Sequence, residues 1–212
     1  MMSKAAEITH YPCPACGSPL YGWVAAHDPL RRGEKVVVDR CERCRLAVTR
    51  GAEPPDVGAE LDAVIERSGE GTIELEAPNV ASVQGGLGGA QWAGLEPELR
   101  RLHLSPDSTR RLLAQLGIEV TGGSTPYLRA SYGLMRQTLI NAFTLRDNFL
   151  RNAREGRLPA PTSTRDRLLI WLDYVVSWLV WIPCAIAAYP LERGGARLGR
   201  GGTLRVQGTD AG

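Results

Sequence analysis

Two CxxC pairs near the amino terminus place the strongest constraint on what this 212-residue chain can fold into. The pairs are Cys13 with Cys16 and Cys41 with Cys44, and 24 residues separate them, somewhat more than the roughly 15–20 typical of zinc sites. Two thiolates on each of two tight turns can converge as a tetrahedron on one ion at about 2.3 Å, and zinc is the usual occupant. Four thiolates leave no open coordination position, so the spacing predicts a structural zinc site.

The segment between the two pairs predicts a β-hairpin. Residues 20–25 and 35–39 have strand character, and turn signals lie between them at 28–29 and 32–33. Together with the cysteines, these features predict a zinc ribbon over residues 1–51. Redox dithiols or plain buried thiols are the alternative, but a redox CxxC normally accompanies a βαβ pattern that this segment lacks.

Composition and charge exclude several classes of protein. The chain is 43% hydrophobic and 23% charged, and its 24 glycines and 14 prolines are too few for a collagenous or low-complexity chain. Residues 52–98 have ten acidic side chains and one basic, whereas residues 99–212 have sixteen basic and eight acidic. The ribbon has eight basic and five acidic side chains, which predicts a solvated charged face and argues against nucleic acid as a partner.

Cysteine usage and the first residues predict a cytoplasmic location. Residues 1–11 contain no apolar run of the kind that opens a secretory signal. Four of the five cysteines form CxxC pairs, which suits a reducing compartment. The fifth, Cys184, lies in an apolar run and is predicted to be a small buried hydrophobic residue.

Periodicity after residue 51 predicts helices alternating with strands. Residues 60–68 have apolar side chains at helical spacing. Ser105, Pro106 and Asp107 predict the start of another helix, which Gly117 ends. The glycine cluster at 85–89 predicts a flexible loop. Strands are predicted at 72–77, 118–121 and 203–207.

Four segments carry a resemblance to a known family. They read GTIELEAPN at 71–79, LHLSPDS at 102–108, RLLAQLGIEV at 111–120 and LGRGGTLRV at 198–206. They resemble the carboxyl half of bacterial class I S-adenosylmethionine-dependent methyltransferases, in the branch often fronted by a zinc ribbon. The resemblance implies that the three predicted strands are the last three of that fold, the final one antiparallel, and that residues 126–192 are a helical insertion. The expected fold is therefore α+β, with a zinc ribbon followed by a truncated α/β methyltransferase-like sheet over 52–212.

The half of the family fold that binds S-adenosylmethionine has no counterpart here. Only 29 residues separate Cys44 from Glu74, too few for four strands with their helices. The chain alone is therefore expected not to bind S-adenosylmethionine. Either a partner subunit completes the sheet and supplies the cofactor site, or the chain is a shortened relative. The alternative function is a non-catalytic zinc-ribbon scaffold or a protein that interacts with a membrane surface.

Two polar residues are candidates for a site outside the cysteine cluster. The family stretch before the helix at 105–117 often carries an Arg-His pair and a second histidine, of which this sequence keeps only His103. An imidazole with a pKa near 6.5 suits a general base, so His103 is the catalytic candidate. A packed or surface histidine is the alternative, because no carboxylate or nucleophile is spaced to orient it. No cofactor-binding residue is predicted, but if the chain does bind S-adenosylmethionine, Asn79 is the first candidate, because it ends the strand at 72–77, where ligands of sheets usually bind.

An apolar run at 168–191 raises the question of a membrane. It contains one charge, Asp173, in 24 residues, which approaches the roughly 20 apolar residues that span a bilayer. On a helix, Trp171 and Trp178 share one face and Asp173 lies on another, and Pro183 is expected to kink or end the helix. Three interpretations stay open: a helix buried in protein, a helix lying on an anionic membrane surface beside flanking arginines, or a spanning helix.

Overall fold

The computed structural model describes residues 11–27, 35–68 and 71–210. The fold is α+β, with two four-stranded antiparallel sheets and six α-helices in these ranges. The strands are β1 (Leu20–His27), β2 (Lys35–Cys41), β3 (Ala47–Thr49), β4 (Ile65–Ser68), β5 (Thr72–Pro78), β6 (Leu102–His103), β7 (Ile118–Ser124) and β8 (Thr203–Asp210). The helices are α1 (Val57–Asp62), α2 (Val83–Gly88), α3 (Pro106–Gln115), α4 (Arg129–Asn141), α5 (Phe149–Arg154) and α6 (Thr164–Arg197).

The first sheet has the strand order β1-β2-β3-β6. The predicted hairpin is confirmed, since β1 pairs with β2 and Ala25 lies opposite Val37. The turn signals predicted at 28–29 and 32–33 lie outside the described residues. On the other side of β3, Ala47 lies opposite His103 of β6. The sheet that carries the cysteines therefore includes a strand from beyond residue 51.

The second sheet has the strand order β4-β5-β8-β7. The three strands predicted after residue 51 are confirmed as β5, β7 and β8, and β8 lies between the other two, antiparallel to both. The helix predicted through 60–68 is wrong in its second half, because α1 ends at Asp62 and residues 65–68 form β4. Apolar spacing at Leu61 and Ile65 suits both structures, and pairing of Ile65 with Leu75 of β5 decides for the strand.

One hydrophobic core joins the two sheets. Leu20 and Leu46 from the ribbon, Leu75 and Val206 from the second sheet, and Leu112 from α3 belong to one buried cluster. All five side chains are at most 3% exposed. The cysteine-bearing segment is therefore packed onto the rest of the protein.

The glycine cluster at 85–89 is largely helical, so the predicted flexible loop is wrong. Ser82 caps α2, its hydroxyl accepting a hydrogen bond from the backbone N–H of Gly85 at 3.0 Å. This cap offsets the low helix propensity of glycine. A Cβ on Gly85 would lie 2.6 Å from the carbonyl oxygen of Val80, so only glycine fits against this backbone.

The carboxyl-terminal helices pack around α6, a single helix of 34 residues. The helix continues through Pro183 and Pro190, so of the two predicted effects of Pro183, a kink or an end, the end is wrong. Each proline removes the hydrogen bond to the carbonyl four residues earlier, at Leu179 and Ile186. Both of these residues lie on the exposed side of α6.

Candidate metal centre

Each CxxC pair lies in a tight turn that directs both thiols to the same side. The N–H of Gly17 donates to the carbonyl of Cys13 at 2.8 Å, and that of Arg45 donates to the carbonyl of Cys41 at 3.0 Å. The residue after each pair has a positive φ, 70° at Gly17 and 60° at Arg45. The two turns are therefore near copies of each other.

The four thiols form one cluster. The Sγ atoms of Cys13 and Cys44 lie 3.5 Å apart, as do those of Cys16 and Cys41. All four sulfurs lie within 4.8 Å of one another, and none forms a disulfide. Sulfurs bound at about 2.3 Å to one tetrahedral ion would be roughly 3.8 Å apart. The spacing and the all-sulfur donor set thus fit a metal such as zinc.

The cluster raises the pKa of two of its thiols and lowers the pKa of the other two. The hydrogen bond between Cys13 and Cys44 lowers the pKa of Cys44 to about 5. The same contact, together with burial, raises the pKa of Cys13. Cys16, which is partly exposed, has its pKa lowered because hydrogen bonds from Ser18 outweigh desolvation. Burial raises the pKa of Cys41. Thiolates are the form that binds a metal, so Cys16 and Cys44 offer that form more readily than Cys13 and Cys41.

Helix α3 holds both turns from outside the ribbon, a contact that the sequence does not reveal. The hydroxyl of Ser105, the N-cap of α3, donates to the carbonyl of Cys44 at 2.6 Å. Near the other end of the helix, the amide of Gln115 donates to the carbonyl of Pro14 at 3.1 Å. One rigid element therefore fixes the spacing of the two cysteine pairs.

His103 lies in the core, separate from the cysteine cluster. It is 2% exposed, and its Nε2 is 2.9 Å from the hydroxyl of Thr49. Complete burial, with the charge of Arg100 nearby, lowers the pKa of His103 to about 3. The adjoining cavity, about 20 Å³, holds no more than a water molecule. The imidazole is thus neutral at physiological pH and joins β3 to the segment that carries β6.

Asn79 is also used within the protein. It is 1% exposed, its Nδ2 donates to the carbonyl of Gly201 at 3.0 Å, and its Oδ1 accepts from the N–H of Ala81. The side chain therefore ties the end of β5 to the entry of β8. Cys184 is 5% exposed, which confirms the prediction that it is buried.

Comparison with known proteins adds no relative to this description. No family model matches the chain, and no curated protein or solved structure matches it either. The resemblance to methyltransferases therefore stays a prediction from the sequence.

Proposed function

We propose that this chain is a zinc-stabilised protein that binds the surface of anionic membranes through one face of α6. One observation carries the proposal: the exposed face of α6 is apolar, whereas three of its six buried residues, Asp173, Ser177 and Glu192, are polar. A helix on the surface of a water-soluble protein has the opposite arrangement. Four thiolates of a closed site serve the fold, since such sites leave no position for a substrate.

Two acidic side chains on the buried face of α6 have partners within the protein. Asp173, 1% exposed, pairs with Arg146 at 2.8 Å and accepts from the N–H of Leu145 at 2.7 Å. Glu192, fully buried, accepts from the N–H of Gly202 at 2.8 Å and from the amide of Gln84. These contacts fix the rotation of the helix about its axis.

The opposite face presents a continuous row of apolar side chains, here called the apolar stripe. Its members are between 55% and 72% exposed. They are Leu168, Trp171, Trp178, Leu179, Ile182 and Ile186. Contiguous exposed apolar surface of this kind marks an interaction site. From 168 to 186, at 1.5 Å per residue, the stripe is about 27 Å long.

Charge and aromatic content favour a bilayer surface as the occupant. Exposed arginines lie beyond both ends of the stripe, at 165 and 167 and at 193 and 197, and each basic residue near an anionic leaflet contributes about 1 kcal/mol. Tryptophan is enriched at the membrane–water interface. α6 is long and apolar enough to cross a membrane, but it packs on α4, which carries Arg136, and its buried face carries Asp173 and Glu192. Lying flat keeps these charged groups out of hydrocarbon.

We expect the chain to float with liposomes that contain anionic lipid, and Trp171→Ser/Trp178→Ser to weaken this binding at least tenfold. Each tryptophan removed from the bilayer loses on the order of 1 kcal/mol or more of apolar burial, and 1.4 kcal/mol is a factor of ten. Flotation in a density gradient, with lipid titrated, measures the partition coefficient.

The matched control is Leu99→Ser/Leu116→Ser, which removes exposed apolar side chains outside α6 and is expected to leave flotation unchanged. Wild-type protein that remains at the bottom of the gradient would contradict the proposal. In that case light scattering tests one other occupant: a dimer that Trp178→Ser dissociates means that a second copy covers the stripe.

We also propose that the chain is a shortened relative of the methyltransferases it resembles rather than half of a split enzyme. The pairing of β4 with the outer edge of β5 supports this, because that edge is where a partner's strands would have to join. A covered edge does not offer its backbone hydrogen bonds to another chain.

Calorimetric titration with S-adenosylmethionine is expected to give no saturable binding up to about 1 mM. Within the described residues, no glycine-rich loop leads from a strand into the N-terminus of a helix, the arrangement that cradles such cofactors. Micromolar binding by the purified chain would show that the protein has a cofactor site of its own and would reject the shortened, inactive form.

A further inference from the structure

A cavity of about 410 Å³ lies between α4, α5 and the end of β5. Its volume falls within the roughly 300–1,000 Å³ of small-molecule sites. Leu134 and the ring of Trp181, both half-buried, supply apolar surface, and the more deeply buried Ile140 and Leu150 also line the cavity. The cavity is thus distinct from the apolar stripe, none of whose members lines it.

Four arginines and two glutamates surround this apolar surface, namely Arg100, Arg136, Arg151, Arg154, Glu96 and Glu155. Glu96, 3% exposed, pairs with Arg100 at 3.3 Å and with Arg151 at 2.9 Å. Glu155 pairs with Arg151 and with Arg157 outside the cavity. Both carboxylates are therefore already neutralised by arginine.

Two arginines of the cavity keep an uncompensated charge. Arg136 lies over the ring of Trp181, 4.6 Å from its centroid, and neither Arg136 nor Arg154 forms an ion pair with any residue in the described ranges. The stacked position holds the Arg136 guanidinium in a fixed orientation. A guanidinium that has no ion-pair partner has its hydrogen-bond donors available for an anion.

We propose that this cavity binds a single-chain amphiphile with an anionic head. The head pairs with Arg136 and Arg154, and the apolar chain lies on Ile140, Leu150 and Trp181. A phosphate monoester and a carboxylate both match the planar fork of arginine. The proposal is independent of membrane binding by α6, because the ligand enters as a monomer from water.

Isothermal titration without vesicles tests the proposal, with octyl phosphate and octanoate as anionic probes below their micellar concentrations. We expect one molecule to bind per chain for at least one of them. Octanol and inorganic phosphate are each expected to bind at least tenfold more weakly, because each lacks one of the two interactions. Which anion binds more tightly separates a lipid phosphate from a fatty acid as the source.

Arg136→Gln and Arg154→Gln are each expected to weaken binding of the preferred anion about tenfold. Arg154 is exposed, so its replacement leaves the fold intact and keeps the test valid if Arg136→Gln unfolds. Arg129→Gln, at the exposed first residue of α4 and absent from the cavity lining, is the matched control and should bind as wild type does. Absence of saturable binding to either anion overturns the proposal, as does equal loss in the Arg129 and Arg154 variants.

Discussion

Replacing Cys44 with Ser is expected to reduce bound zinc from about one equivalent to under about 0.2 and to destabilise the whole chain. Binding free energy in small zinc modules is largely folding free energy, on the order of 10 kcal/mol in peptides. Cys44 is fully buried and belongs to the core shared by both sheets. We therefore expect a loss of at least about 3 kcal/mol, or roughly 10 °C in Tm.

Elemental analysis of purified protein gives the zinc content, and calorimetry gives the Tm. Cys184→Ser is the matched control, because Cys184 is an equally buried cysteine outside the cluster. It should keep its full zinc content. Wild-type protein with less than half an equivalent of zinc and four reactive thiols would contradict the site, as would a Cys44 variant that retains the metal.

When the pH is lowered from 7 to 5, the free energy of unfolding of the wild-type protein is expected to fall by about 2 kcal/mol more than that of the His103→Gln variant. The folded protein holds the pKa of His103 at about 3, whereas the unfolded chain titrates near 6.5. Between these values the unfolded state binds a proton that the folded state does not, so stability falls as the pH falls. The limiting slope is about 1.4 kcal/mol per pH unit.

Urea denaturation at several pH values measures the difference in free energy of unfolding between the two proteins. The contributions of carboxylates and metal ligands cancel in this difference, because both proteins contain them. Gln is the chosen replacement because its amide can still bond the hydroxyl of Thr49. The imidazole resonance of His103, followed by NMR, should show no titration above about pH 4. Parallel stability profiles for the two proteins, or titration of His103 near pH 6.5, would refute the prediction.

Features set by neighbouring residues could be predicted from the sequence. The cysteine spacing indicated a single metal cluster, and β-branched residues at 36–38 indicated the hairpin that joins its two halves. The N-cap of α3 follows from Ser105 and Pro106, and the capping hydrogen bond to Ser108 is present. In each case the physical cause lies within a few residues of the element.

Features set by distant partners were predicted wrongly or were missed. β4 and β6 are strands of four and two residues whose existence depends on β5 and β3. The hydrogen bonds that hold α3 against the two cysteine turns join residues that are 61 and 101 positions apart in the sequence. Pattern alone does not identify such partners, because periodicity records the environment of a residue and not the segment that supplies it.

The apolar run at 168–191 shows most clearly what could not be predicted from the sequence alone. The sequence placed Asp173 and Trp178 on different faces of a helix, which the structure confirms. It could not tell which face points inward, since both buried and interfacial helices contain such runs. The ion pair of Asp173 with Arg146 and the contact of Glu192 with the backbone of Gly202 supply that answer.

The central position of β8 determines the order in which the chain can mature during synthesis. β5 and β7 do not pair with each other, and each reaches the sheet through β8, as where Thr72 lies opposite Thr209. A ribosome therefore releases α6 before the strand that closes the second sheet. Until β8 is available, β5 and β7 have no strand between them, so the second sheet is completed only after α6 has been made.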